Sequence, residues 1–67
     1  MQEYHWLLHN NAARVIGTDR GRFLTDEDAV AWAVGLLNKH AVATMVEVWR
    51  DTRLVDRRQR VAEQDEA

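Results

Sequence analysis

Apolar and polar positions alternate over Glu3–His9, with Tyr4, Trp6 and Leu8 on one side and His5, Leu7 and His9 on the other. A period of two is the signature of a strand. Asn10-Asn11 then supplies turn chemistry, because asparagine tolerates the left-handed backbone that hairpins need. Ala13–Thr18, centred on Val15 and Ile16, is predicted to return as a second strand. Asp19-Arg20-Gly21-Arg22 has the composition of a second turn, with Phe23 and Leu24 leading back toward the core.

At Thr25 the pattern changes. Threonine is a good helix N-cap, and Asp26, Glu27 and Asp28 complement the positive end of a helix dipole. A helix is predicted from about Asp26 to Lys39 or His40, where a cation suits the negative end. Ala43–Arg50, with Thr44–Trp49 at its centre, reads as a third strand. Asp51-Thr52 turns the chain into a short fourth strand, Arg53–Arg57. The order is ββαββ. It implies an α+β fold with one helix packed on a single, mainly antiparallel four-stranded sheet. Residues 1–57 form one domain, and residues 58–67, polar and aperiodic, are expected to be a frayed or disordered tail.

The helix is apolar over an unusually wide arc. Val30, Val34, Leu37, Ala33, Ala29, Leu36 and Trp32 spread over roughly 200°, against about 100° for an ordinary surface helix. Packing is expected to cover Val30, Ala33, Val34 and Leu37 and to leave Trp32 and Leu36 at the margin. If Val46 and Val48 face the helix, Met45 and Trp49 face away, and Trp6 or Tyr4 joins them. The chain has three tryptophans in 67 residues, more than one small core readily encloses. Tryptophan is a favoured interface anchor. Trp6, Trp32, Leu36, Met45 and Trp49 are therefore the interface candidates of a small non-catalytic module, a homodimer acting through protein–protein interaction.

Composition removes several chemistries. Cysteine and serine are both absent, which excludes disulfides, thiolate ligands and thiol or serine nucleophiles. The net charge of −2 argues against generic polyanion binding, yet eight of the nine basic residues are arginine. Arg50, Arg53, Arg57 and Arg58, with Arg60 beyond them, cluster near Trp49. They support an alternative as a nucleic-acid-associated regulatory protein, with arginines on phosphate and the indole stacking on bases. His5 and His9 have metalloprotease spacing, but Trp6 stands where that motif needs glutamate. On a strand their Cα atoms also lie about 13 Å apart, too far for one tetrahedral ion.

Gly17-x-x-x-Gly21 lacks the lysine and context of a phosphate loop, and the acids at 26–28 are explained by capping. No catalytic, cofactor or metal residue is expected. The apolar run Ala29–Val34 with Leu36 and Leu37 is far shorter than the roughly 20 residues of a membrane span. Met1-Gln2-Glu3 opens no signal pattern, so a cytoplasmic location without a membrane partner is expected.

Tyr4-His5-Trp6-Leu7-Leu8-His9, Val15-Ile16 before Asp19-x-Gly21, Leu24-x-Asp26, Ala29-x-x-x-Ala33 and the closing Val46-Glu47-Val48-Trp49-Arg50-Asp51-x-x-Leu54-Val55 resemble a group of short bacterial proteins. That group, found especially in high-GC genomes, pairs two hairpins around one helix. The resemblance covers about residues 4–56, with Thr52 standing where a turn glycine is expected. It implies the fold and transfers no site, because the group carries no assigned function.

Overall fold

The computed structural model describes residues 1–60. Five elements follow one another: β1 (Gln2–His9), β2 (Val15–Phe23), α1 (Asp26–Lys39), β3 (Met45–Arg50) and β4 (Arg53–Gln59). Both hairpins form, and β1 also pairs with β3, so the sheet order is β2-β1-β3-β4 with every neighbour antiparallel. The fold is α+β: one four-stranded sheet with one helix on one face. Because both are antiparallel to β1, β2 and β3 run parallel to each other. The helix is the crossover between them.

Alternation in β1 decides what lies beneath the helix. Tyr4, Trp6 and Leu8 point inward with Val46 and Val48 of β3. They meet Ala29, Ala33, Leu36 and Leu37 of α1, with Ala43 closing one end. Trp6 is fully enclosed, and its indole N–H donates to the carbonyl of Ala29 at 3.0 Å. Burying so large a ring while pairing its polar atom is the favourable case for tryptophan. The small Ala29 and Ala33 let the helix approach where Trp6 and Tyr4 are bulkiest.

The helix begins as its sequence implies: the Thr25 hydroxyl accepts from the Asp28 amide at 3.1 Å. Its rotation differs from expectation. Leu36 is buried at 7% exposure, whereas Val34 is 39% exposed. An aromatic cluster explains the difference. Trp32 packs on Trp6 and Phe23 (centroids 6.4 and 6.0 Å) and donates to Asp19 at 3.0 Å. This cluster holds the Trp32 edge of the helix over β2 and turns Leu36 inward.

Residues 19–22 are not a turn. They lie inside β2, which runs on to Phe23. Gly17 faces Leu8 and Gly21 faces Tyr4 across the hairpin, and both make room for large neighbours. A Cβ at Gly17 would stand 3.3 Å from Cδ1 of Leu8, and one at Gly21 would stand 3.2 Å from Cη2 of Trp6. Glycine in a strand often marks such a close approach. The first hairpin turns at Asn10, whose side-chain oxygen accepts from the amides of Ala12 and Arg14, and Ala13 takes a left-handed φ of 61°. In the second hairpin Asp51 takes the left-handed position, φ 57°, so Thr52 needs no glycine's freedom.

The last strand also runs further than its pattern suggests. Arg58 and Gln59 belong to β4, and the Arg60 amide donates to the Thr44 carbonyl at 2.8 Å. The Arg60 guanidinium donates to the carbonyls of Leu37, His40 (3.0 Å) and Ala43 (2.9 Å). One cation thus joins the Leu37 carbonyl in the last turn of α1 to the capping residue His40 and to Ala43 in the loop beyond, a place suited to positive charge. The expected tail therefore does not start at residue 58; its remainder, 61–67, lies outside the described residues.

Candidate interaction surface

The face of the sheet away from α1 follows from the same alternation. Strand register places its side chains in rows. One row runs Arg20, His5, Trp49, Leu54 from β2 to β4. The middle row runs Thr18, Leu7, Glu47, Arg57. The third runs Val15, His9, Met45, Gln59. Among the described residues, no element covers this face.

Glu47 is its electrostatic centre. One carboxylate oxygen accepts from His9 Nε2 at 3.1 Å and from the Trp49 indole at 3.4 Å, and the other accepts from Arg57 at 3.2 Å. Burial alone would raise the Glu47 carboxyl. The Trp49, His9 and Arg57 bonds outweigh it and hold the group below the usual glutamate value. The charge is thus neutralised within the subunit. The Nδ1 atoms of His5 and His9, by contrast, are buried with no hydrogen-bond partner, among described groups that include Arg20 opposite His5.

The sequence candidates separate. Met45 and Trp49 stand on the open face, half-buried. Trp32 lies at the margin of the helix over β2, packed on Trp6 and Phe23 and still 45% exposed. Trp6 and Leu36 are enclosed in the core and form no surface, because Trp6 joins the inward set of β1 and the helix turns Leu36 under. Leu7 and Leu54 were missed, although alternation had put Leu7 on the same side as His5. Leu54 faces outward through the register shift between Val48 and Trp49, which no local pattern signals.

The C-terminal arginines hold acids. Arg50 (3.4 Å) and Arg53 (3.7 Å) flank Asp26, Arg57 pairs with Glu47 and Arg58 with Asp56 (2.9 Å). Asp26 also accepts from the Tyr4 hydroxyl at 2.6 Å. That bond does most to hold Asp26 below the usual carboxylate range, against partial burial and with help from Arg50 and Arg53. Burial, reinforced by Asp26, raises Tyr4. Asp56 is lowered by the Arg57 amide and the Arg58 side chain.

The His9–Glu47 pair has the form of a base and its orienting carboxylate. The chain contains no serine or cysteine, so this pair has neither of those two nucleophiles to activate. Among the described residues, no three His, Asp or Glu side chains converge as a metal site, and no helix is long and apolar enough to cross a membrane. Comparison with family models, curated proteins and solved structures found no match.

Proposed function

We propose that this chain is a non-catalytic protein–protein interaction module that works as a homodimer. The observation that carries this reading is the make-up of the open sheet face. A solvated face of an antiparallel sheet is ordinarily polar at its outward positions. Here Leu7 and Trp49 occupy the two central strands, with Met45 beside them and Val15 and Leu54 on the edges. The Glu47 carboxylate between them already accepts from His9, Trp49 and Arg57 of its own chain, so covering it strands no bare carboxylate.

Size supports the same conclusion. A single core in a chain this short supplies only about 3–5 kcal/mol, and association is a usual supplement. The C-terminal arginines, each engaged with an acid or with carbonyls of its own chain, give little support to a phosphate track. Size-exclusion chromatography with light scattering at micromolar concentration tests the reading: the expected mass is twice the 7.8 kDa of the chain. A monomer across that range sinks it. A gel shift that strengthens as salt falls would instead favour the nucleic-acid alternative.

A further inference from the structure

The sheet has two edges, β2 and β4, and they are finished differently. On β4 a register shift breaks the ladder between Val48 and Trp49. There the Asp56 carboxylate accepts from the Arg57 amide, and Arg57 and Arg58 hold acids. Bulges and occupied edge groups discourage further strand pairing. Along β2, Gly17–Phe23 runs in straight register against Gln2–Leu8. Alternate amides and carbonyls there point away from β1, and among the described residues no loop backbone bonds to them. Asp19, the one acid of β2, is turned to Trp32 instead.

The flanking side chains choose the chemistry of what pairs with this edge. Arg20 and Arg22 stand exposed on the open-face side. Glu3 is opposite Arg22 in register, yet among the described residues neither arginine holds an ion pair. Arg50, Arg53, Arg57 and Arg58 all do. On the helix side β2 offers Gly17 and Gly21, and Trp32 overhangs it, packed on Phe23 at 6.0 Å and 45% exposed. Trp32, Gly35 and Leu36 border an apolar hollow of about 390 Å³ on that flank of α1.

We infer that the β2 edge takes an extended peptide of a partner protein as a fifth strand, with acidic residues beside Arg20 and Arg22 alternating with apolar ones beneath Trp32. In such strand addition main-chain bonds supply affinity and alternate side chains supply selectivity. Opposite charges across neighbouring strands stabilise, and like charges destabilise. A second β2 centred on Gly21 sets Arg20 against Arg22, so the arginines favour an acidic chain over another copy. The site is the sheet's edge and stands apart from the self-association of its face.

The probe is the capped peptide (Glu-Val)4, titrated into the isotope-labelled chain. Amide resonances of Gly17–Phe23 are expected to move, and (Lys-Val)4 is expected to leave them in place. Arg20→Glu with Arg22→Glu should weaken (Glu-Val)4 about tenfold or more and admit (Lys-Val)4. Methylating alternate amides blocks one edge of the peptide. Of the two alternately N-methylated forms, one should lose binding and the other keep it. These forms test the wild-type chain and decide the matter even where circular dichroism shows the double variant misfolded. The inference is overturned by no shifts up to about 1 mM peptide, by shifts centred on β4 or Trp49, or by equal binding of both methylated forms. An oligodeoxythymidylate that moves the β2 amides where the peptide does not also overturns it, in favour of phosphate. A dimer that ignores the peptide sinks this inference alone, whereas a monomer that binds it sinks only the self-association.

Discussion

Gly21 lies beside the Trp6 ring, so that an added Cβ would stand 3.2 Å from Cη2 and 3.3 Å from Cζ3 of the indole. Trp6 is itself fully buried and tied to Ala29, and cannot retreat without losing that bond. Gly21→Ala is therefore expected to destabilise the fold by about 1–3 kcal/mol, the range for overpacking. Gly35→Ala is the control: nothing lies within 4 Å of its would-be Cβ. There the gain in helix propensity, about 0.5–1 kcal/mol, should appear undiminished. Urea midpoints of the two variants should move in opposite directions.

Ala13 bends the first hairpin at φ 61°, a conformation that costs an L-residue roughly 1–2 kcal/mol. Ala13→Gly removes this steric cost but gives the unfolded chain more freedom. The expected net result is a modest stabilisation, on the order of 0.5 kcal/mol, and Ala13→Val should destabilise. Thermal melts of the three proteins should rank Gly above Ala above Val.

Arg60 closes the end of α1 by donating to three carbonyls of Leu37, His40 and Ala43. Arg60→Ala removes this donor from all three, of which His40 keeps the Ala43 amide, and is expected to cost about 1.5–3 kcal/mol, the range for hydrogen bonds involving a charged group. Arg60→Lys should recover little, since one ammonium lacks the planar spread of donors that spans three acceptors. Amide hydrogen exchange should show the loss first in the last turn of the helix.

Acid should act on three carboxylates. Asp26, Glu47 and Asp56 are all held below their ordinary values in the folded chain. Each contributes stability that is fully present above the unfolded carboxylate range, about pH 4–4.5. That stability is lost as pH falls through the lower native values. Stability against urea should hold down to about pH 5 as far as these groups are concerned, and then fall. Tyr4 works on the other flank: its raised value contributes stability below about pH 10 that is lost as pH climbs through the native value. Tyr4→Phe removes the chief donor to Asp26, so the loss between pH 7 and pH 3 should become smaller in that variant.

The elements whose signals are local were legible in the sequence. Thr25 with three following acids marked the helix start, and alternation separated Tyr4, Trp6 and Leu8 from His5, Leu7 and His9. Features set by distant partners were not legible. Gly21 looks like punctuation until Trp6 is seen beside it. Arg60 looks like tail until the end of α1 is seen within its reach. The Glu47 cluster joins β1, β3 and β4, and its donors come from positions 9, 49 and 57. No spacing rule connects those numbers, because the strand register brings them together.

The sheet order has a kinetic consequence. β1 is the first strand in the chain yet sits in the middle of the sheet, and its second neighbour, β3, arrives some forty residues later. The first hairpin can close early, but Tyr4, Trp6 and Leu8 have no lid until α1 and β3 are both in place. Closing that long loop costs entropy before it returns any contact. Refolding should therefore track the β1–β3 pairing, and substitutions at Val46 or Val48 should slow it more than equally destabilising ones in the first turn.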